Sequence, residues 1–395
     1  MNATDQPESG SKTCKTVLYL ANTDWYLFNF RKNLLKRASQ DGWHVRLACG
    51  EAGYTTALAE EGWPVETLPL NSKGSNPLRE LGALYKVIRL FRKERPDVAH
   101  LFTLKCVLYG CLAAPFSRNT RFIGALTGMG YLFTSNRLSV RLLKQLVIAG
   151  LRLGLKVSRA HLIFQNEFDR QEFVEQKLLP LERTSVIRGS GVDCAIFNPE
   201  KRQPSSDGNL RLLFCGRLIE EKGIRDYLAA TTRLKAEGWE FTSRIAGEPY
   251  PGNPSSLSEA EVDELRTHED HEFLGHYADM PALLAMTDIV VLPTYYREGT
   301  PKVLLEAMAA GCIVVTTTIP ACDDLVEEGV NGFRISPKDV DSLNHALAKL
   351  LKCPPEQRAN MSVASTRIAR ERFSDTQVNR ATLNLYMPDS VTATT

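Results

Sequence analysis

The feature that most constrains this chain is the alternation of short β-branched segments with longer segments of helical periodicity. Strands separated by helices in this way are typical of α/β proteins with parallel sheets. The alternation stops at a polar segment rich in Pro, Ser and Gly, residues 199–208, and then starts again. The sequence therefore predicts two doubly wound, Rossmann-like domains that face an interdomain cleft. The predicted strands are 16–20, 45–48, 98–102, 122–126 and 161–165, followed by 210–215, 241–246, 289–293 and 313–317.

The predicted boundaries follow from this alternation and from composition. With 395 residues, 43% of them apolar, the chain is long enough for two cores. We expect residues 1–14, which are polar and lack the apolar core of a signal peptide, to be a disordered leader. The two domains are then 15–196 and 197–372. Residues 373–388 are expected to form a helix that crosses back to the first domain, and 389–395 a frayed tail.

A strand, a loop and a helix follow one another across residues 289–311. Thr300 stands where a helix N-cap belongs, Pro301 at the first helical position and Gly311 at the C-cap. The backbone amides of 299–303 would then be unpaired at the start of a helix, which is a favourable place for a phosphate. The loop therefore predicts a phosphate-binding site.

Carboxylates and cations surround this predicted site. Glu298 in the loop and Glu306 in the helix could each accept paired hydrogen bonds from a vicinal diol. The strand 210–215 ends in a second loop, in which Arg217 and Lys222 could reach a diphosphate from the opposite side. Two cations and a helix N-terminus would stabilise a departing diphosphate.

These motifs resemble the glycogen-phosphorylase-like "group 1" (family four) retaining glycosyltransferases, which have the GT-B fold. The shared motifs are Gly-Arg-x4-Lys-Gly from Gly216, the Glu-x7-Glu span from Glu298 to Glu306 within Glu-Gly-x-Pro-x3-Leu-Glu-Ala, and Glu-Gly-Val-Asn-Gly-Phe at 328–333. The resemblance covers the whole second domain. It implies that Glu298 faces the donor sugar, Glu306 the ribose, and Arg217 and Lys222 the diphosphate.

The resemblance also implies a wider donor site. Residues 275–277 match the region that holds the nucleobase. The implied catalytic residues are Arg217, Lys222 and Glu298. The implied donor-binding residues are Gly216, Glu298, Gly299, Thr300, Pro301, Lys302, Val303, Glu306, Gly275, His276 and Tyr277.

The first domain departs from the general family pattern. Bulky residues at 22–28 replace a Gly-Gly turn, and Thr-Gly-Met-Gly-Tyr-Leu-Phe at 127–133 lacks the His of a Thr-x-His-Gly loop. With Phe-Gln-Asn at 164–166 and Arg-Gly-Ser-Gly-Val-Asp at 188–193, this variant resembles a subgroup that extends saccharides on polyprenyl diphosphate carriers, including bacterial lipid-linked GalNAc and GlcNAc transferases. The acceptor candidates are Asn22, Phe28, His100, Thr127, Gly128, Gly130, Asn166 and Arg188.

Two of these candidates have alternative interpretations. His100 lies on a strand and is more typical of a core histidine with its hydrogen bonds satisfied than of a catalytic group. Arg188 could contact a substrate phosphate, or it could form a structural salt bridge. The sequence leaves both questions open.

Charge is distributed unevenly along the chain. Residues 1–195 contain 27 basic and 17 acidic residues, and 196–395 contain 21 and 29. An apolar helix near 138–157 carries a basic stripe within a stretch free of acids, which predicts peripheral binding to the anionic inner face of the cytoplasmic membrane. An ordinary domain helix explains its apolar face equally well. The membrane-facing candidates are Arg137, Arg141, Lys144, Arg152, Lys156 and Arg159.

No metal or cofactor is expected. The nine cysteines form no Cys-x-x-Cys motif, which indicates a reduced, cytoplasmic protein. Asp323 and Asp324 are the best carboxylate pair, and they are more typical of an acidic helix N-terminus than of a metal site. The expected partners are a nucleotide sugar as co-substrate, a lipid-linked acceptor and a membrane surface, without nucleic acid.

The resemblance predicts an enzyme, a retaining hexosyltransferase. Its expected reaction moves a sugar, predicted to be an N-acetylhexosamine, from a UDP-sugar to a polyprenyl diphosphate-linked saccharide. Two alternatives remain: a UDP-sugar epimerase or hydrolase of the same fold, and a catalytically silent nucleotide-sugar- or lipid-binding subunit of an assembly complex.

Overall fold

A computed structural model of the chain describes residues 15–70, 76–128, 138–203, 205, 208–250, 252–296 and 299–387. The predicted leader, the tail from 389 and the site residues Glu298, Gly130 and Arg137 lie outside these described residues, as does the side chain of Arg141. The described residues form two compact units. One lies within Met1–Ala125, Leu146–Leu162 and Tyr386–Thr395, and the other within Leu126–Gln145 and Ile163–Leu385.

The first sheet has seven strands in the order β3-β2-β1-β4-β5-β6-β7. Its paired strands are parallel, and Tyr19 of the first strand lies opposite His100 of the fourth. The central strands are buried except at the first residue of β1 and of β5, as expected where helices cover both faces of a parallel sheet. The strands are β1 Thr16–Ala21, β2 His44–Cys49, β3 Val65–Thr67, β4 Val98–Phe102, β5 Arg121–Leu126, β6 His161–Phe164 and β7 Thr184–Val186.

Helices connect these strands. The helix nearest the end of β1 is interrupted by one π-helical turn, Leu27–Arg31. The α-helices are α1 Asp24–Tyr26, α2 Lys32–Gln40, α3 Thr55–Glu60, α4 Pro77–Glu94, α5 Thr103–Ala113, α6 Leu138–Ser158 and α7 Glu167–Glu175; Ala114–Phe116 and Leu181–Arg183 are 3-10 turns.

The second sheet has six strands in the order β10-β9-β8-β11-β12-β13. The chain builds outward from β8 to β10, and then returns to place β11 on the other side of β8. Open α/β sheets bind ligands at such a topological switch point, outside the carboxyl ends of the strands. The strands are β8 Leu210–Cys215, β9 Phe241–Ala246, β10 Glu272–Gly275, β11 Ile289–Leu292, β12 Ile313–Thr317 and β13 Gly332–Ile335.

The helices of the second sheet enclose a core that includes Phe214, Tyr227 and Phe373. Two parallel α/β sheets confirm the predicted fold class. The helices are α8 Ile224–Ala236, α9 Glu259–Thr267, α10 Met280–Ala285, α11 Lys302–Ala309, α12 Pro320–Asp323, α13 Val340–Lys352, α14 Pro355–Ile368 and α15 Asp375–Asn384; Pro199–Lys201 and Glu220–Lys222 are 3-10 turns, and Ala369–Phe373 is a π-helical turn.

Helix α11 begins one residue later than the sequence predicts. Pro301, with extended ψ, is its N-cap, so the prediction of Thr300 as N-cap is wrong. At the other end Ala310 is the C-cap and Gly311, with φ of 79°, follows it. The amides of Gly311 and Cys312 donate to the carbonyls of Met308 and Ala307 at 3.0 and 2.8 Å, which is the Schellman arrangement.

The end of the described chain packs in the first unit. The Tyr386 hydroxyl lies 2.7 Å from His100 Nδ1 and donates to the Tyr19 hydroxyl at 3.0 Å. Its ring contacts Trp43 edge-on, with ring centroids 5.5 Å apart. These contacts fix the segment after α15 in the core of the unit that contains β1 and β4.

Candidate functional site

The two predicted donor loops meet at the topological switch point of the second sheet. The carbonyl of Glu221, in the loop after β8, accepts from the Tyr295 amide at 2.8 Å and from the Thr294 hydroxyl at 3.1 Å. Thr294 and Tyr295 begin the loop after β11. The strands β8 and β11 are neighbours in the sheet, so the sheet order places the two loops together.

Gly223 is required where the loops touch. Its φ is +78°, and a Cβ there would lie 2.2 Å from the Pro293 carbonyl oxygen. Because the clash is with backbone, no side-chain movement can relieve it. This glycine immediately follows Lys222, so the close approach also fixes where that lysine leaves the chain.

The two predicted cations of the site share an aromatic neighbour. The Arg217 guanidinium lies 5.4 Å from the centre of the Tyr296 ring and 4.9 Å from that of Tyr250. The Lys222 ammonium lies 5.9 Å from the Tyr296 ring, and Lys222 is buried. Cation–π contacts of this kind stabilise a guanidinium without neutralising it. Both side chains therefore keep their positive charge beside the rings.

Glu306 projects from α11 into a buried position, with 7% of the residue exposed. Burial raises the pKa of its carboxyl group, and the Lys302 ammonium, 3.2 Å away, opposes that rise. Burial also raises the pKa of the Cys215 thiol to about 12, with Glu306 adding to the shift and Lys222 opposing it. Glu306 and Lys222 thus both act on the end of β8, so the fold brings them together.

The amides at the start of α11 correct one prediction. The Gly299 amide donates to the Thr127 carbonyl at 3.0 Å, and the Thr300 amide donates to Gln165 Oε1 at 2.9 Å. They are not free to bind a phosphate, because two acceptors of the protein occupy them. Pro301 has no N–H. Within the described residues the Val303 amide has no acceptor, as expected in the first turn of a helix.

The predicted nucleobase region lies at the ends of β9 and β10. The Gly247 amide donates to the Gly275 carbonyl at 2.8 Å, and Gly275 has φ of 61°. Beside them is a cavity of about 510 Å3, lined by Gly275, Phe273 and Glu248 among others. His276 is exposed, and Tyr277 is partly buried against the core. The structure gives this region room for a planar group.

The acceptor candidates of the first unit have different environments. Asn22 Oδ1, just after β1, accepts from the Cys106 thiol at 3.2 Å. Phe28 packs on Tyr54, with ring centroids 5.1 Å apart. His100 is fully buried beside Tyr386, its Nε2 has no partner among the described residues, and burial holds its pKa well below the usual value. A neutral, buried His100 fits a core residue better than a catalytic group, but only Nδ1 has a hydrogen-bond partner among the described residues, so the expected full satisfaction of its hydrogen bonds is not met.

The remaining acceptor candidates lie in the second unit. Asn166 caps α7, because its Oδ1 accepts from the Asp169 amide at 2.8 Å. Arg188 forms an ion pair with Asp324 at 2.8 Å. This is the structural salt bridge that the sequence offered as the alternative to a substrate contact. Thr127 supplies its carbonyl to Gly299, and Gly128 follows with φ of 124°.

The predicted interfacial helix α6 packs on the first unit and still exposes apolar residues. A Cβ on Gly150 or Gly154 would lie 3.0 Å from Leu108 or Cys111 of α5, so these glycines allow the close packing. Its exposed side carries Leu146, Leu153 and Val157, and the bases Arg152, Lys156 and Arg159 are exposed as well, with Lys144 partly so. No helix in the described part of the chain is long and apolar enough to cross a membrane.

The candidate carboxylate pair is engaged in ion pairs. Asp323 pairs with Arg334 and Asp324 with Arg188, both at 2.8 Å. They stand at the end of α12, not at its start as expected. Among the described residues no group of three or more His, Cys, Asp or Glu side chains is arranged to hold a metal ion.

Comparison with known proteins identifies the class. Residues 197–367 match the family "Glycosyl transferases group 1", and residues 16–166 match "Glycosyl transferase 4-like". One match covers most of each predicted domain. The chain belongs to the group 1 glycosyltransferases, which confirms the resemblance inferred from its motifs.

Individual relatives extend this comparison. The chain is 33% identical over 212 residues to glycogen synthase of Mycobacterium tuberculosis, a match that covers 52% of this chain and 49% of that relative. The chain therefore spans about half the length of that relative. It is 23% identical over 344 residues, 85% of this chain and 89% of the relative, to N,N'-diacetylbacillosaminyl-diphospho-undecaprenol alpha-1,3-N-acetylgalactosaminyltransferase of Campylobacter jejuni.

A solved structure supports the fold. The crystal structure of Anabaena Alr3699/HepE in complex with UDP matches with a TM-score of 0.73 and 20% identity, over 93% of this chain and 98% of that one.

Sequence reasoning missed three side chains of the site. Tyr250 and Tyr296 flank the cations, and Gln165 accepts from the Thr300 amide. The consecutive tyrosines at the carboxyl end of β11 were a usable signal for Tyr296. Gln165 belongs to the Phe-Gln-Asn motif, but nothing in the local sequence indicates that it reaches Thr300, 135 residues away.

Proposed function

We propose that the chain is a retaining hexosyltransferase that moves a sugar from a UDP-sugar to a polyprenyl diphosphate-linked saccharide. The single observation that carries this proposal is the convergence of Arg217, Lys222 and Glu306 at the switch point of the second sheet. Two cations and a buried carboxylate suit a ligand that has both a diphosphate and a vicinal diol.

The proposed donor contacts follow from this geometry. Arg217 and Lys222 bind the diphosphate, and the Val303 amide adds a donor at the start of α11. Glu306 accepts from the two ribose hydroxyls, because a carboxylate has two acceptor oxygens, one of which lies 3.2 Å from the Lys302 ammonium. Glu298, the sequence neighbour of Gly299, orients the donor sugar. The site is proposed to need no metal ion, since the two cations balance the diphosphate charge.

The proposed reaction retains the configuration at the anomeric carbon. The bond from that carbon to the diphosphate breaks, and a bond to the acceptor hydroxyl oxygen forms on the same face. A diphosphate oxygen takes the proton of that hydroxyl, and UDP leaves. Arg217 and Lys222 stabilise the charge that develops on the diphosphate, and preorganised charges of this kind supply a large part of many enzymes' catalysis.

The acceptor class rests on the first half of the chain. The motifs at 127–133, 164–166 and 188–193 resemble those of transferases that act on polyprenyl diphosphate carriers. The name of the Campylobacter jejuni relative describes such a substrate, a saccharide on diphospho-undecaprenol, and an N-acetylhexosamine as the transferred group. We therefore propose an N-acetylhexosamine as the donor sugar.

A lipid-linked acceptor requires the enzyme to work at a membrane surface. We propose that α6 lies against the anionic inner face of the cytoplasmic membrane, with Leu146, Leu153 and Val157 in contact with lipid and Arg152 and Lys156 facing the headgroups. Helix α4 exposes a second apolar row, Leu78, Leu81 and Tyr85.

The test is a panel of UDP-sugars offered to the protein with membranes that contain polyprenyl diphosphate-linked saccharides. We expect a mass increase of one sugar on the lipid-linked saccharide with one member of the panel. Incubation with donor alone separates the rivals, because an epimerase or hydrolase changes the donor without an acceptor. A protein that binds UDP-sugars but changes neither molecule is the silent subunit.

Glu298 provides a second test of the same proposal. Replacing it by Ala should lower turnover far more than it weakens binding of free UDP, because UDP lacks the sugar that Glu298 orients. Equal losses in turnover and UDP affinity would rule out that role.

A further inference from the structure

The two residues before α11 are held by acceptors from distant parts of the same compact unit. Thr127, after β5, accepts from the Gly299 amide, and Gln165, after β6, accepts from the Thr300 amide through Oε1. Two backbone amides that are hydrogen-bonded to other parts of the chain limit the freedom of this short segment to move. The position of Gly299 and Thr300 is therefore set partly by Gln165.

Packing around this segment is close. A Cβ on Gly299 would lie 1.8 Å from Gln165 Oε1 and 2.8 Å from the Thr127 carbonyl oxygen. A Cβ on Gly189 would lie 3.3 Å from the Cβ of Thr300. Glycine is needed at 299 because the Thr127 carbonyl is backbone and cannot move aside, whereas the end of the Gln165 side chain could.

The hydrogen bond from Thr300 also fixes the orientation of the Gln165 amide. A backbone N–H can only donate, so the atom facing it must be Oε1, and Nε2 points elsewhere. Gln165 is 8% exposed, and no residue in the described ranges accepts a hydrogen bond from Nε2. Nε2 is not among the buried polar atoms that lack a partner, so it is a donor that a ligand can use.

We propose that Gln165 positions the donor loop through Oε1 and donates from Nε2 to an oxygen of the donor's sugar. This inference rests on the proposed function. The cations Arg217 and Lys222 and the ribose ligand Glu306 account for the nucleotide, whereas Gly299 and Thr300 directly follow Glu298, the residue proposed to face the sugar. Gln165 thus reaches the ligand from the side of the loop where the sugar is expected.

The test uses two substitutions that separate the two atoms. Gln165→Glu keeps an oxygen to accept from Thr300 and removes the N–H donor. Gln165→Leu removes both. Gln377→Glu on α15, which is exposed, makes the same change in charge at a distance and is the matched control.

Three measurements follow on each full-length variant: hydrogen exchange of the Thr300 amide, the affinity for UDP, and the affinity for the UDP-sugar together with kcat. For Gln165→Glu we expect slow exchange and unchanged UDP affinity, with a loss of at least about tenfold in UDP-sugar affinity or kcat. For Gln165→Leu we expect faster exchange as well. Gln377→Glu should match the wild type.

Two results would overturn the inference. Wild-type UDP-sugar affinity and kcat in Gln165→Glu would exclude the Nε2 contact, and unchanged Thr300 exchange in Gln165→Leu would exclude the positioning role. Failure of the proposed function looks different, because the wild type itself would then neither bind UDP-sugars nor transfer sugar, while the exchange comparison would still report on positioning.

Discussion

The Glu306 carboxylate lies 3.2 Å from the Lys302 ammonium, one turn earlier on α11. Burial raises the pKa of the Glu306 carboxyl group, and the positive charge of Lys302 opposes that rise. Only the ionised form has two acceptor oxygens without a proton, and the proposed ribose contact needs both. The lysine therefore favours the ionised form of Glu306, which the proposed ribose contact requires.

This relationship predicts a pH dependence of nucleotide binding. UDP affinity should fall as the pH is lowered towards the raised pKa of Glu306, because the protonated carboxyl group loses an acceptor. Lys302→Met removes the charge that lowers this pKa, so the loss should begin at a higher pH. Calorimetric titration of UDP across pH 5–8 measures both; Lys201→Met, an exposed lysine outside the site, should follow the wild type. Superimposable wild-type and Lys302→Met profiles would contradict the role of Lys302.

Gly223→Ala should destabilise the second unit and abolish tight UDP binding. A left-handed backbone costs a non-glycine residue roughly 1–2 kcal/mol, and the added Cβ would in addition collide with the Pro293 carbonyl oxygen at 2.2 Å. The clash moves the loop that carries Lys222. Gly238→Ala is the control, since it has φ of +88° and open space around its Cβ. Thermal unfolding should show a clearly larger loss of stability for Gly223→Ala than for Gly238→Ala. Equal losses of stability would mean that the backbone around Pro293 can move away from the added Cβ at little cost.

Residues whose identity encodes a local conformation were predictable. β11 is a continuous apolar run, and Gly216 to Gly223 follows the apolar residues 212–215, so the switch-point loops could be found from the sequence. The partners of Gly299 and Thr300 could not, because Thr127 and Gln165 reach them only through the tertiary fold. The rules for helix ends predict unpaired amides at Gly299 and Thr300, but acceptors that are distant in the sequence bond to both of them.

The basic residues of α6 should govern membrane binding. Reversing both Arg152 and Lys156 to Glu should weaken binding to anionic vesicles by at least about tenfold, since each surface cation contributes about 1 kcal/mol. Binding of the wild type should also weaken as salt rises. Co-sedimentation with vesicles of anionic and of neutral lipid measures the effect. The double reversal Lys201→Glu and Arg380→Glu, at exposed sites outside α6, controls for net charge. An equal loss of vesicle binding in this control would show that α6 is not the membrane-binding surface.

His271 should make the second unit sensitive to acid. It is buried, with Nδ1 2.9 Å from the Ser243 hydroxyl and Nε2 3.2 Å from the Thr232 hydroxyl. Burial, aided by the nearby charges of His268 and Lys235, lowers its pKa from 6.5 to about 4.

The sign of the effect follows from proton uptake. Between pH 6.5 and about 4 the unfolded chain binds a proton at His271 that the folded chain does not, so the free energy of unfolding falls as the pH falls. His271→Gln keeps hydrogen-bonding capacity without titrating, and it should flatten this slope in calorimetric unfolding at pH 4.5–7. His345→Gln, at an exposed position on α13, should leave the slope unchanged. If His271→Gln keeps the wild-type slope, the acid sensitivity arises elsewhere, with the buried His100 as the next histidine to replace.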